Sequence, residues 1–177
     1  MTLRHGLRLV KHGMRYDLSP MTIADYDAVL GLWRATEGIG LNESDTREAV
    51  ASFLRRNPGL SCVARDPSGG VAGAVLCGHD GRRGYLHHLA VARACRGQGL
   101  GRRLVERCLQ QVGALGILKC NVFLFADHAA GESFWRHNGW QARADLRVLQ
   151  RPTTVADPEG KAQPDAPRDS NAVPVHH

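Results

Sequence analysis

The chain has 177 residues, of which 43% are hydrophobic and 23% charged, and its formal net charge is +6. This composition is typical of one soluble globular domain, and no apolar run is long enough to span a membrane. The basic balance suits an anionic ligand. Nucleic acid is not expected as a partner, because no runs of Lys and Arg interleaved with aromatic residues occur.

The cysteines argue against a metal site and against structural disulfides. Their number, five, is odd, and no pair has the C-x-x-C spacing of a zinc site. We therefore expect no metal, and we expect a reducing, cytoplasmic location. Four thiols lie in apolar segments and are predicted to be buried: Cys62, Cys77, Cys108 and Cys120.

The two ends of the chain differ in composition from its middle. Residues 1–13 carry three basic residues and no acidic one, and they are predicted to form a basic extension. Residues 152–177 are polar and interrupted by prolines, which predicts a disordered tail. The folded domain is predicted over residues 14–151.

In chain order, hydrophobic periodicity predicts a strand, two helices and a three-stranded meander, at 14–19, 23–36, 44–57, 60–64, 71–77 and 85–91. Ser44 or Asp45 is the predicted cap of the second helix. A helix, a strand, a helix and a last strand follow at 100–112, 117–125, 128–138 and 141–149. Residues 117–125 are apolar on both faces, which is typical of a central buried strand. This order predicts an α/β (α+β) fold, with a mixed sheet and helices on both faces.

A glycine-rich segment follows the predicted strand end Leu89-Ala90-Val91. Gly97, Gly99 and Gly101 lie just before an amphipathic helix and among several arginines. Glycines allow close approach of the backbone, and the free amides of a helix N-terminus attract phosphate. The lysine and hydroxyl residue of a P-loop are missing, and the glycine spacing does not fit a dinucleotide-binding turn.

Two motifs in this sequence resemble the GNAT superfamily of N-acetyltransferases. The first is Arg/Gln-x-x-Gly-x-Gly/Ala, with Arg96, Gly99 and Gly101. The second matches Asn-x-x-Ala-x-x-x-Tyr-x-x-x-Gly-Phe in its spacing only, because the chain has other residues at four of the five positions. The residues at these five positions are His128, Gly131, Trp135, Gly139 and Trp140. The resemblance covers about residues 14–151.

The resemblance implies a mostly antiparallel sheet with a splay between two central strands, and acetyl-CoA as co-substrate. In such proteins the glycine loop holds the pyrophosphate, and the splayed strand binds the pantetheine arm. The residues implied in donor binding are Leu89, Ala90, Val91, Arg96, Gly97, Gln98, Gly99, Leu100, Gly101, Arg102 and His128. The implied reaction is direct attack by a primary amine in a ternary complex, with the Val91 amide polarising the thioester. A homodimer is compatible with the sequence.

Four residues are candidates for the chemistry. His87 or His88 could deprotonate the amine, and as neighbours on a strand they are predicted to point to opposite faces. Glu37, in the loop between the first two helices, competes for that role. Trp135 stands where the resemblance implies a tyrosine acid, and indole is no acid at working pH. An acyl-CoA-binding module with weak or lost catalysis therefore stays open, and so does a nucleic-acid binder that rests on charge alone.

Overall fold

The computed structural model describes residues 15–153. The predicted basic extension and nearly all of the predicted tail lie outside the described residues. These residues divide into two units, the first ending at Gln141 and the second beginning at Ala142. The helices and strands of the first unit are β1 Asp17–Pro20, α1 Tyr26–Arg34, α2 Arg47–Arg56, β2 Cys62–Arg65, β3 Val71–His79, β4 Gly84–Val91, α3 Leu100–Ala114, β5 Cys120–Val122 and α4 Ala129–His137.

The five strands form one sheet in the order β1-β2-β3-β4-β5. The first three pairings are antiparallel, and β4 and β5 are parallel. The β4–β5 ladder covers only three pairs, from Gly84–Cys120 to Leu86–Val122, and the strands then separate. The predicted mixed, mostly antiparallel sheet with helices on both faces is confirmed, and the predicted splay lies between β4 and β5.

Each face of the sheet is covered by helices. On one face, Cys77 and Leu86 pack with Leu104 of α3 and Trp135 of α4. On the other face, Leu76 and the remaining inward side chains pack with residues of α1 and α2. From Ala74 to Cys77, successive residues of β3 alternate between the two clusters, as the pleat of a strand buried on both sides requires.

A β-bulge interrupts this alternation in β4. Leu76 pairs with His87 and Ala74 with Ala90, so that two residues of β4 lie opposite Val75. His88 is the residue at which the backbone accommodates the bulge, with a φ of +51° in the left-handed region. Both His87 and His88 consequently face α1 and α2. The prediction of opposite faces was wrong, because it assumed an uninterrupted pleat.

The second helix begins later than its predicted cap. Residues Glu43–Asp45 form a separate 3₁₀ turn, and the Thr46 side chain accepts a hydrogen bond from the Ala49 amide at the start of α2. Asp45 closes the 3₁₀ turn in a capping box with Asn42, in which its carboxylate accepts from the Asn42 amide. The Asp45 carboxylate therefore does not cap α2, whose N-cap is Thr46.

The strand predicted over 117–125 is shorter and more exposed than expected. Only Cys120–Val122 pairs with β4, and Phe123 is 59% exposed. The strand predicted over 141–149 is not present. Instead, Arg143 binds Asp145 at 2.7 Å, and the Leu146 amide bonds the Arg143 carbonyl, which bends the chain locally. Within the described residues β5 is thus an edge strand, and the prediction of a central strand was wrong.

Burial of the thiols agrees with the prediction for three of the four. Cys62, Cys77 and Cys108 are fully buried between the sheet and α3, whereas Cys120 is half-buried. Burial raises the pKa of Cys62 to about 11 and that of Cys120 to about 12. Cys62 and Cys120 are therefore protonated at neutral pH, and the three buried thiols act as small apolar core residues.

No helix within residues 15–153 is long and apolar enough to cross a membrane.

The packing of α3 gives a stability prediction. Leu104 is fully buried against β3, whereas Leu109, on the same helix, is 36% exposed. Leu104→Ala should lower the free energy of unfolding by about 2–5 kcal/mol, the usual cost of a cavity in a core. Leu109→Ala should cost less than about 1 kcal/mol. Urea unfolding followed by circular dichroism measures both, and equal effects would contradict the packing described.

Candidate functional site

The glycine-rich loop ends at the first turn of α3. Gly97 and Gly99 have φ of +73° and +74°, and a Cβ at either position would meet no atom within 4 Å. Gly99 is the N-cap of α3 and has no side chain to accept from the first turn. Arg103 is the first residue whose amide finds a carbonyl, that of Gly99, at 3.1 Å. The amides before it in α3 have no intrahelical partner, and free amides at a helix N-terminus suit an anion.

The polar side chains of this loop are held within the fold. The Arg96 Nε donates to the Val91 carbonyl at 3.0 Å, and an Arg103 nitrogen donates to the Tyr16 carbonyl at 3.2 Å. Arg102 forms an exposed ion pair with Glu106 at 2.6 Å. Gln98 accepts from the Tyr16 hydroxyl at 3.2 Å. The contacts of Arg96, Gln98 and Arg103 tie the loop and the first turn of α3 to Val91 and Tyr16, and the three arginines are close in sequence to the free amides.

The splay between β4 and β5 leads directly to this loop. Ala92 donates its amide to the Ala72 carbonyl, on the β3 side. Because amides alternate along a strand, the Val91 amide points away from β3, into the splay. The side chains of Leu89 and Val91 pack with the α3 cluster, while the edge of their backbone remains turned towards β5. The structure thus brings the predicted strand end and the predicted loop together.

His88 lies at the start of the splay and is held on three sides. Its Nε2 is 2.7 Å from the Asp45 Oδ1, in a pair whose side chains are 19% and 8% exposed. Its ring meets the Trp33 ring edge-on at 5.0 Å between centroids. The Trp33 Nε1 donates to the His88 carbonyl at 3.0 Å, a carbonyl that the bulge turns away from the regular ladder.

His87 belongs to a row of aromatic rings on the same face. It stacks on Tyr85, which in turn stacks on Phe123, and it meets Phe53 of α2 edge-on. Burial, followed by the charge of His88, lowers the pKa of His87 from its ordinary value of 6.5, while Asp45 opposes that shift. His87 is therefore neutral at physiological pH.

The loop after α1 closes on the segment after β5. An added Cβ at Gly38 would lie 2.5 Å from the His128 ring, and one at Gly40 would lie 2.7 Å from the Phe125 ring. A cavity of about 380 Å³ lies between the two segments and is also lined by Asp127. His128 is thus packed under this loop, whereas Glu37 is exposed and forms no hydrogen bond or ion pair with His87 or His88.

Trp135 has the surroundings of a core residue. It is buried in the cluster under α3 and meets Trp140 and Phe134 edge-on, with centroids 4.8 and 5.2 Å apart. The ring of Phe134 also comes within 3.3 Å of a Cβ built at Gly101, so α4 packs against the start of α3. Trp135 is therefore a packing residue of α4, whose neighbour Phe134 contacts the start of α3.

Sequence reasoning missed the two residues that hold His88. Trp33 lies within the helix predicted over 23–36 and was given no role, and Asp45 was predicted only as a possible helix cap. No spacing in the sequence links either residue to position 88, since the contacts depend on how α1 and the following 3₁₀ turn pack on β4. The one local signal was Asn42 three residues before Asp45, a capping-box spacing, which fixes a carboxylate but not its partner.

Comparison with known proteins agrees with this geometry. The profile of the Acetyltransferase (GNAT) family matches residues 26–140. An acetyltransferase of Sodalis glossinidius is 29% identical over 125 residues, which is 71% of this chain and 87% of the relative. One from Yersinia enterocolitica is 30% identical over 107 residues, or 60% of this chain and 74% of the relative.

Solved structures share the fold at low sequence identity. The PaiA N-acetyltransferase of Thermoplasma acidophilum, solved in complex with coenzyme A, has a TM-score of 0.65 at 18% identity, covering 73% of this chain and 92% of that one. Ard1 from Thermoplasma volcanium has a TM-score of 0.64 at 16% identity, covering 73% of this chain and 84% of that one. At these identities the likeness establishes the arrangement of strands and helices.

The environment of His87 gives a titration prediction. Its lowered pKa means that the unfolded chain binds more protons than the folded chain below about pH 6.5. The stability that His87 contributes is therefore present above pH 6.5 and is lost as the pH falls through its folded pKa. NMR titration of the imidazole C–H signals, assigned with His87→Asn, should place His87 below 6.5. A value at or above 6.5 would contradict the burial described.

Proposed function

Since this chain belongs to the GNAT family of acetyltransferases, we propose that it moves the acetyl group of acetyl-CoA to a primary amine. The observation that carries the proposal is the cradle at the start of α3, where free amides, two open glycines and three arginines converge at the mouth of the splay. The splayed edge of β4 suits the pantetheine arm of the donor, and the loop that follows it in the chain suits the pyrophosphate.

The residues present fit the pyrophosphate of the donor. The space beside Gly97 and Gly99 is open on the side where a Cβ would lie, and no side chain of the N-cap occupies the amides of α3. A dianionic pyrophosphate suits the positive end of a fifteen-residue helix. We propose that the amides of Gly97 to Arg102 hold it, with Arg96 and Arg102 contributing charge.

The backbone of β4 fits the pantetheine arm. Beyond Leu86 its outward-facing amides and carbonyls have no partner from β5. An extended amide-bearing ligand can add to such an edge in the manner of a strand. We propose that Leu89 and Val91 bind the arm, while Ala90 packs inward with the α1 cluster. His128, held under Gly38, would close the mouth of the splay beside the arm.

When bound, acetyl-CoA supplies an activated thioester, and the chain supplies orientation and proton transfer. The Val91 amide, directed into the splay, would donate to the carbonyl that gains negative charge. His88, at the start of the splay, would accept the proton that the amine loses, directly or through one water. Glu37 is a weaker candidate, because no hydrogen bond or ion pair ties it to either histidine. Holding both reactants in one complex makes direct attack effectively unimolecular.

The chain has no phenol at the position of the family's tyrosine. Trp135 fills that position and packs in the core, so the proposal gives it no proton to deliver. A thiolate is a fairly good leaving group, and a barrier lowered by orientation and by the Val91 amide does not require an acid there. Loss of the phenol also motivates the alternative, an acyl-CoA-binding module with weak catalysis, which a screen of amine acceptors tests.

The cradle predicts a selective loss of donor binding. In Gly99→Trp the indole would fill the space assigned to the pyrophosphate, so calorimetry should detect at least a roughly 100-fold weaker affinity for CoA, because several amide and charge contacts are lost together. Gly81→Trp is the matched control: its φ is +89°, its Cβ position is equally open, and it lies in the turn at the opposite end of β4. Unchanged CoA binding in a folded Gly99→Trp chain would show that the cradle is elsewhere.

An amine screen tests the reaction itself. The wild-type chain, supplied with acetyl-CoA and a panel of small amines, polyamines, aminoglycosides and peptides, should release thiol and yield an acetylated product by mass spectrometry with at least one class. Release without an acceptor measures hydrolysis and is subtracted. A chain that binds CoA but acetylates no amine would leave the binding-module alternative.

A further inference from the structure

We propose that Asp45 is a positioning residue of this enzyme, which holds His88 in one tautomer and one orientation so that Nδ1 accepts the proton of the amine. The proposal rests on the function proposed above. It adds a residue outside the two motifs of the glycine loop and α4, contributed by the 3₁₀ turn that precedes α2.

The Asp45 carboxylate is held in place by contacts other than the one with His88. Its Oδ2 accepts from the Asn42 amide at 2.9 Å, and its backbone carbonyl accepts from the Tyr26 hydroxyl at 2.8 Å. The side chain is only 8% exposed. A carboxylate that is buried and tethered at one oxygen has little freedom, so its second oxygen offers a fixed acceptor to the face of β4.

His88 is shaped to meet this acceptor. The left-handed backbone at His88 turns its side chain towards α1, next to His87, and the Trp33 hydrogen bond to the His88 carbonyl holds that backbone in place. The 2.7 Å contact between Nε2 and Oδ1 lies within the range of a charge-assisted hydrogen bond. A left-handed φ in a residue other than glycine persists only where its surroundings enforce it.

This contact decides which nitrogen can act as the base. Neutral imidazole carries one N–H and one lone pair, and an ionised carboxylate only accepts. Asp45 therefore selects the tautomer with the proton on Nε2, which leaves the lone pair on Nδ1. In the reaction a carbon–nitrogen bond forms as the carbon–sulfur bond breaks, the electron pair leaves on sulfur, and one amine proton passes to Nδ1. Asp45 then faces an imidazolium and stabilises its charge.

Other charged groups near this pair are few. His87 precedes the bulge residue His88 and is neutral. The Arg47 guanidinium lies over the ring of Tyr26, whose hydroxyl donates to the Asp45 carbonyl, at 4.9 Å from the ring centroid. Among residues 15–153, Asp45 is the carboxylate that contacts His88. A change at Asp45 therefore acts on His88 without an intermediate charged partner.

The test is a double-mutant cycle measured with an amine that the wild type acetylates. Asp45→Asn keeps the size of the side chain and an acceptor for the Asn42 amide. His88→Asn removes the base and tolerates the left-handed backbone. Each single variant should lower kcat/KM by roughly 100-fold, the lower end of the contribution of a positioned base. The double variant should be no worse than His88→Asn, because Asp45 acts through His88.

Two controls separate positioning from general damage. Asp145→Asn makes the same change in a carboxylate that binds Arg143 at 2.7 Å outside the family-matched region, and it should leave kcat/KM unchanged. The dissociation constant for CoA should be the same in all variants, since the cradle lies beyond the other end of the splay. Long-range ¹H–¹⁵N spectra should show the Nε2–H tautomer of His88 in the wild type and a changed tautomer ratio in Asp45→Asn.

The outcomes distinguish this proposal from the one it rests on. An active wild type in which Asp45→Asn changes neither kcat/KM nor the tautomer overturns the role of Asp45 alone. The role of Asp45 is likewise overturned if Asp45→Asn lowers kcat/KM by the same factor in the His88→Asn background as in the wild type, because Asp45 would then act independently of His88. A wild type that binds CoA and acetylates no amine overturns the proposed function, and the catalytic role of Asp45 falls with it.

Discussion

The extra residue that β4 inserts opposite Val75 determines both halves of the site. It turns two successive imidazoles towards the same helices, and it shifts the alternation of the strand so that the Val91 amide faces β5. Without the bulge, a regular strand would place only one of the two histidines on the face covered by α1 and α2. The bulge also lies just past Leu86, the last residue of β4 that pairs with β5, so the proposed acid–base group and the proposed donor groove meet at the same point of the strand.

Such a backbone needs support, and the α1 side of the fold provides it. Trp33 donates to the carbonyl that the bulge displaces, and Asp45 binds the side chain of the strained residue. The strain of a left-handed residue, about 1–3 kcal/mol, is of the size that two such contacts can offset. The same contacts tie α1 and the 3₁₀ turn to the sheet, so the layer formed by α1 and this turn depends on the bulge as much as the bulge depends on that layer.

Much of the fold was readable from the sequence, because its signals are local. The helix at Leu100–Ala114 follows from its apolar face, and the meander follows from turns rich in glycine, proline and aspartate. The glycine loop was readable because its function needs particular residues at short spacing. The bulge, the Asp45–His88 contact and the shortness of β5 were not, since each depends on residues far apart in sequence. Residues 141–149 show the opposite case, in which a local signal predicted a strand that does not form. A strand-like sequence forms a strand only where the edge of a sheet pairs with it.

The buried thiols of β2, β3 and α3 make the packing of α3 on the sheet observable. A thiol reagent reacts with the thiolate, and Cys62, Cys77 and Cys108 are closed to solvent, with a raised pKa for Cys62 and Cys108. Alkylation at these positions must therefore wait until α3 lifts from the sheet. The rate at which a folded sample takes up label at each cysteine then reports the opening free energy of the layer beneath the glycine loop, residue by residue, in the way that amide exchange reports on backbone hydrogen bonds.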